Sequence, residues 1–435
     1  MGEALREHNA GRAKDARGRT RVEAPARRPG RAGATLARAF VLTAAAALAA
    51  CSSNSDRGAS APRAPSQTAQ APSGPQPGAG GQVTLSGPAR VALLLPLTAP
   101  DGGAAAAARD IEAAARLALA EGAAEAIALD VRDTAGDAAT AATAARAAAA
   151  AGDALVLGPL YGANADAVGE AVAPAGLNVL AFSNTPSAGG GNVWVAGLLA
   201  SSEADRILSH AADKGWTGVG LYYPESPLGR VARSAAEEAA GRHGVALSPI
   251  MPYPRSFEGI QSTSEAYKAA FDGSGATTVL LVDEGQGLQA AASFMRYHSI
   301  GTRAPLLGLG GMADRELQKD SSLSNALYAG LDPQAMADFS ARFQAAYGRA
   351  PGRFAWLGYD AVAAAAQMMR AGRASGDDRP FGVEEITDPG GFRGLGGPWK
   401  LTRDGGNMRA LAVLTPTASG PQVVGPATMP SAPGS

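Results

Sequence analysis

The sequence predicts an α/β protein of two lobes, each a parallel sheet flanked by helices, with a cleft between the lobes. Three observations carry this expectation. Beyond residue 87 short apolar runs alternate with long Ala-rich segments, the rhythm of strands alternating with helices. The runs fall into two successive series of four, enough for two sheets covered by helices. The chain has 435 residues, of which roughly 340 in the middle have the texture of folded protein, the size two ordinary lobes require.

Residues 1–50 read as an export signal with an over-long leading extension. Arg27, Arg28, Arg31 and Arg38 precede an uncharged run, 39–50, too short to span a bilayer but suited to a signal-peptide core. Leu48-Ala49-Ala50-Cys51 resembles a bacterial lipobox, which makes Cys51 the expected lipid attachment point and the membrane contact. Cys51 is the only cysteine, so no intramolecular disulfide can form. Residues 51–87 are Ser, Ala, Pro, Gly and Gln with few large apolar side chains, and read as a flexible tether.

Lobe 1 is expected over 88–197 plus 331–390, with strands at 90–95, 127–132, 154–157 and 178–181. Lobe 2 is expected over 198–330 plus 391–415, with strands at 219–222, 245–250, 277–282 and 305–309. Ser226-Pro227 and Asp332-Pro333 each place a capping oxygen before a proline at the first helical position. Gly215, Gly244, Gly301 and Gly348 stand where helices should stop. The alanine tract 137–151 reads as a helix with a small face for close packing on a sheet. Two helices, about 333–347 and 354–370, are expected before a hairpin pairing 397–401 with 409–414 around Asp404-Gly405-Gly406. Residues 416–435 read as a disordered tail. Crossings between the lobes near Gly197, Gly330 and Gly391 would make a hinge.

Charge and motif content narrow the function. The net charge of -1 conceals ten basic against four acidic residues before position 39, and 28 basic against 35 acidic from Cys51 onward. A mildly acidic body is a poor nucleic-acid binder. His210, His243 and His298 lack a second metal-type ligand at useful spacing, and no phosphate loop, zinc-protease pair, dinucleotide fingerprint or nucleophile elbow occurs. Neither a cofactor, a metal nor an enzyme activity is therefore expected. Binding remains, and open α/β sheets bind at the carboxyl ends of their strands. The polar loops there nominate Thr98, Tyr161, Ser183, Asn184, Thr185 and Tyr223 for a small polar ligand.

From about residue 89 to 414 the chain resembles the type I periplasmic binding proteins of the leucine-binding class. Val91 to Thr98 resembles the opening strand and loop, Asp130 to Gly136 the second strand, Leu155 to Tyr161 the third with its Gly-Pro turn, and Asp338-Phe339 to Tyr347 with Tyr359-Asp360-Ala361 the late helices. Within that class, 179–184 followed by 193–197 resembles the penicillin-binding-protein activator lipoproteins of the LppC/LpoA type. That likeness implies a periplasmic lipoprotein, anchored in the outer membrane by Cys51, that regulates peptidoglycan synthases. Ser52 after the lipidated cysteine agrees with outer-membrane sorting. The alternative is the receptor of an ABC permease for amino acids or another small polar solute. Against amino acids stand Leu228, where the family closes with a Tyr, and the absence of a carboxylate at Gly310-Gly311-Met312, where the family holds the ligand's ammonium. Thr185 matches the threonine that holds the ligand's carboxylate, and Asp283 or Glu284 could receive the ammonium by another route.

Overall fold

The computed structural model describes residues 76–430, so the segment read as an export signal and Cys51, the expected attachment point, lie outside the described residues. In chain order the first lobe opens with β1 (Ala89–Leu95), α1 (Gly102–Ala118), β2 (Ile127–Asp133), α2 (Ala138–Ala150), β3 (Leu155–Leu157), α3 (Ala165–Val172), β4 (Val179–Ala181) and β5 (Val193–Val195). The strands form one parallel sheet in the order β2-β1-β3-β4-β5. Along β1, Val91, Leu93 and Leu95 enter one apolar cluster while Ala92 and Leu94 enter another on the opposite face. Both faces are dry, which is why the run is apolar throughout.

The second lobe follows with α4 (Ala200–Asp213), β6 (Gly218–Pro224), α5 (Pro227–His243), β7 (Ala246–Tyr253), α6 (Phe257–Ser274), β8 (Thr278–Leu281), α7 (Gly285–Tyr297), β9 (Leu307–Gly308) and β10 (Leu327–Gly330). The chain then returns through α8 (Pro333–Tyr347), α9 (Ala355–Ser375), α10 (Val383–Ile386), β11 (Phe392–Gly394), β12 (Gly397–Leu401), β13 (Asn407–Arg409), β14 (Leu411–Thr415) and β15 (Gln422–Thr428). The second sheet runs β15-β14-β10-β9-β8-β6-β7, parallel except for the antiparallel pairings of β14 and β15. Ser226 and Asp332 cap α5 and α8 as expected, Ser226 accepting the Gly229 N–H and Asp332 those of Gln334 and Ala335. Gly244 and Gly348 end those helices in left-handed conformation. Among the described residues no helix is long and apolar enough to cross a membrane.

Several expectations need correction. Residues 78–83, placed in the tether, are docked on the first lobe. Asn178 donates to Gly78 O at 3.0 Å and to Phe381 O at 2.8 Å, and accepts from Gly78 N at 2.8 Å. Gly81 N donates to Ala154 O and Val83 N to Asp378 O. Composition reports the side chains that a segment can bury. Here the backbone itself is the contact, and Gly78 and Gly81 lie so close to Gly176 and Ala154 that no Cβ fits.

The segment 391–409, assigned by sequence to the second lobe, packs in the first: Phe392, Trp399 and Leu401 belong to its core. The expected hairpin divides. Strand β12 pairs with β13, while β14 crosses to the second sheet. The third crossing is therefore at Ala410, not Gly391. The tail is also shorter than expected, because β15 pairs with β14 at the sheet edge. Strands β5 and β10 had no place among the expected strands. Each has only three or four residues, too few to show a period.

The β12–β13 turn covers the edge of β5. Val195 N donates to Gly405 O at 2.8 Å, Trp194 Nε1 to Thr402 O at 3.0 Å, and Asn407 Nδ2 to the carbonyls of Val195 and Gly197. Those last bonds tie the third crossing to the first. Behind them Arg409, fully buried, lies between the Trp356 and Trp399 rings and donates to Asp360 at 2.7 Å.

Candidate functional site

Parallel strands deliver their following loops to one edge of each sheet, and these loops hold the candidate residues. On the first lobe, Thr98 is exposed after β1. Its hydroxyl donates to Asp133, which also accepts the N–H groups of Thr98 and Ala135. Burial works against ionisation of Asp133, but these donors hold its carboxyl below the usual carboxylate range. The Tyr161 ring lies against Gly136 near Pro96 and Ala99, so the loops after β1, β2 and β3 meet. Ser183 is buried, and its hydroxyl accepts the N–H of Thr185 at 2.9 Å, leaving Asn184 and Thr185 exposed beyond it.

On the second lobe two nominated residues are engaged elsewhere. Tyr223 belongs with Val219 and Leu221 in the core under α5, and Arg233 donates to its hydroxyl at 3.2 Å. The side-chain alternation of β6 puts it, with Val219 and Leu221, on the face that α5 covers. Asp283 is buried with both oxygens occupied: Tyr253 donates to one, and Arg255 and the Glu284 N–H to the other, all at 2.8–2.9 Å. Burial, reinforced by this carboxylate, pushes the Tyr253 hydroxyl well above its ordinary range. Glu284, half exposed, does face the first lobe. One of its oxygens stands 3.9 Å from Arg255 and the other 3.9 Å from Arg353, a residue of the loop between α8 and α9 on the opposite lobe. Beside it a groove of about 720 Å³ runs between the starts of α6 and α7, lined by Arg255, Phe257, Gln286 and Gln289.

Two residues were not singled out from sequence. Arg353 reaches toward Glu284 from the first lobe, stacked on Phe354. Glu203, in the first turn of α4, is 7% exposed, and its carboxyl group lies against Gly310. The expectation that no carboxylate stands at Gly310-Gly311-Met312 is thereby corrected: the carboxyl comes from a different element. A lone Glu in the first turn of a helix reads as solvated surface, and here the turn after β9 brings Gly310 against it. Desolvation pushes its pKa up to about 8, against the opposing effects of the Gly310 N–H and the Arg353 charge.

A family description, periplasmic binding protein, matches residues 88–421. Among solved structures, a putative branched-chain amino acid ABC transporter from Rhodospirillum rubrum is 19% identical with a TM-score of 0.66, covering 78% of this chain and 100% of its own. The leucine binding protein of Thermotoga maritima is 16% identical with a TM-score of 0.55, covering 77% and 97%. A solute binding protein of an ABC transporter from R. palustris, in complex with benzoate, is 16% identical with a TM-score of 0.55, covering 79% and 98%. At these identities the likeness is one of fold. The chain matches no curated protein.

Proposed function

We infer the function from a premise of kinship: the chain belongs to the periplasmic binding proteins, and within that family we read it as a non-catalytic receptor that encloses a small polar solute and presents it to an ABC permease. The observation that carries this reading is the approach of the two lobes at Glu284, which follows β8 of the second sheet, and Arg353, in the α8–α9 loop of the first lobe, 3.9 Å apart. Three chain crossings, at 196–199, 331–332 and Ala410, give such lobes a hinge on which to close around a ligand. The solved structures named above support the same role, since each is described as a component of an ABC transporter or as a leucine binding protein. The proposed contacts are Thr98, Tyr161, Asn184 and Thr185 from the first lobe and Glu284 from the second. A periplasmic location goes with the family.

The activator of peptidoglycan synthases, lipid-anchored in the outer membrane through Cys51, has less support. It rested on 179–184 and 193–197. In the fold Val179–Ala181 and Val193–Val195 are buried strands, and their apolar character is accounted for by the core they enter.

A thermal-shift series on the full chain with L-leucine, L-glutamate, putrescine and benzoate tests the receptor reading. A solute at a hundred times its Kd should stabilise the fold by about 2.7 kcal/mol. Stabilisation by none of them, together with direct binding to a peptidoglycan synthase, would reverse the order of the two readings.

A further inference from the structure

Two of the proposed solute contacts, Asn184 and Thr185, sit on the loop that follows β4, and a chain of hydrogen bonds fixes that loop from behind. Ser183 Oγ accepts the Thr185 N–H at 2.9 Å, and Ser183 O accepts the Gly197 N–H at 3.2 Å. Gly197 lies so close to this backbone that a Cβ there would stand 2.2 Å from Ser183 O. Gly197 O in turn accepts from Asn407 Nδ2 at 2.8 Å, and the same nitrogen donates to Val195 O at 2.7 Å. Asn407 is 5% exposed, and its Oδ1 has no hydrogen-bond partner among the described residues. A buried acceptor left unmet costs stability, so this amide is a poor filler of space; what it contributes is the pair of donations.

The tie joins the first crossing to the segment that leads into the third. On the second lobe the same crossings are joined again: Arg206 of α4, the helix that follows the first crossing, donates through Nε at 2.9 Å to the carbonyl of Leu411, the residue after Ala410. Between the two ties run only Leu198-Leu199 in one crossing and Met408 to Ala410 in the other. We propose that Asn407 is a positioning residue of the solute site: its two donations hold the first crossing against residues 182–185, so that Asn184 and Thr185 are pre-set for a solute and rotation of the lobes pivots on the short backbone beyond the tie. This rests on the receptor reading and adds to it how the solute loop is held. Asn407 acts through Gly197 and Ser183. A loop fixed in advance spares the solute the entropy of ordering it, and a pivot confined to a few residues is what absorbs the backbone change of closure.

The test compares Asn407→Ala with Asn178→Ala in the full chain. Asn178 is the matched control, a buried amide whose Nδ2 also donates to two carbonyls, those of Gly78 and Phe381, but just before β4 instead of beyond its end. Hydrogen exchange resolved to single residues should quicken about tenfold at Gly197 and Thr185 in Asn407→Ala, and stay unchanged there in Asn178→Ala. Asn407→Ser, a smaller cut that keeps a hydroxyl donor, should quicken both by less. In calorimetric titration with L-leucine, L-glutamate, putrescine and benzoate, a solute that binds the parent should bind Asn407→Ala about tenfold more weakly and Asn178→Ala as tightly as before, although both variants melt lower. Parental exchange at Gly197 and Thr185 in both Asn407 variants, or an affinity that falls equally in Asn407→Ala and Asn178→Ala, would overturn the proposal. Binding of none of the four counts against the receptor reading alone, and the exchange rates then decide whether Asn407 holds the loop.

Discussion

Removing the carboxylate of Asp360 should destabilise the first lobe by more than any surface change, because it strands a buried guanidinium. Arg409 is 0% exposed and Asp360 2%. Arg409 Nη1 donates to Asp360 Oδ2 at 2.7 Å, and the other carboxylate oxygen accepts the Leu395 N–H at 2.7 Å. Among the described residues Arg409 Nε and Nη2 have no hydrogen-bond partner, so the ion pair and two ring faces, 4.7 and 4.6 Å from the guanidinium carbon, are what compensate its charge there. Desolvation pushes its pKa down, with Asp360 opposing. Asp360→Ala leaves the indole contacts in place and removes the rest, for which about 3–5 kcal/mol is the usual cost.

With an unfolding entropy of about 2.1 cal/mol/K per residue over the roughly 350 residues described, that corresponds to a fall in Tm of about 4–7 °C. Calorimetry or chemical denaturation reads it directly. Adding Arg409→Met to Asp360→Ala should recover part of the loss, since the uncompensated charge leaves with it. A loss under about 1 kcal/mol for Asp360→Ala, or a double variant as unstable as the sum of the single ones, would show that the pair is not the coupled unit described.

Two further outcomes follow from local geometry. Burial, with Asp130 alongside, raises the Asp153 carboxyl to about 7. The unfolded chain releases that proton near 3.8 and the folded chain only near 7, so this residue's contribution is fully present below about pH 4 and is lost as pH rises to 7. Asp153→Asn should flatten the stability profile across that window and leave the variant more stable than the parent at pH 8, as denaturation at a series of pH values will show. Asp332 accepts the N–H groups of Gln334 and Ala335 at the start of α8. Asp332→Ala should cost about 0.5–2 kcal/mol in urea midpoint measurements, whereas Asp332→Asn should cost less.

The sequence by itself determined what depends on near neighbours in the chain. The apolar runs, the capping pairs Ser226-Pro227 and Asp332-Pro333 and the stops at Gly244 and Gly348 act over one or two turns, so the α/β class, the two lobes and most strands could be read directly. It also brought Thr98, Tyr161, Asn184, Thr185 and Glu284 to the loop edges of the two sheets, because a loop after a parallel strand has only one edge to reach.

Only the tertiary structure decided matters that depend on distant neighbours. A shift of one residue in strand parity separates Tyr222 from Tyr223, and it placed Tyr223 in the core under α5. The docking of 78–83 was invisible to composition because backbone bonds to Asn178 and Ala154 hold it. Segment 391–409 joined the first lobe because the turn at Gly405 fits the open edge of β5, a surface created by residues some two hundred positions earlier. Glu203 is an ordinary charged residue at a helix start until the turn after β9 brings Gly310 against it. Desolvation is a property of everything that surrounds a group, and a sequence shows only the neighbours on either side.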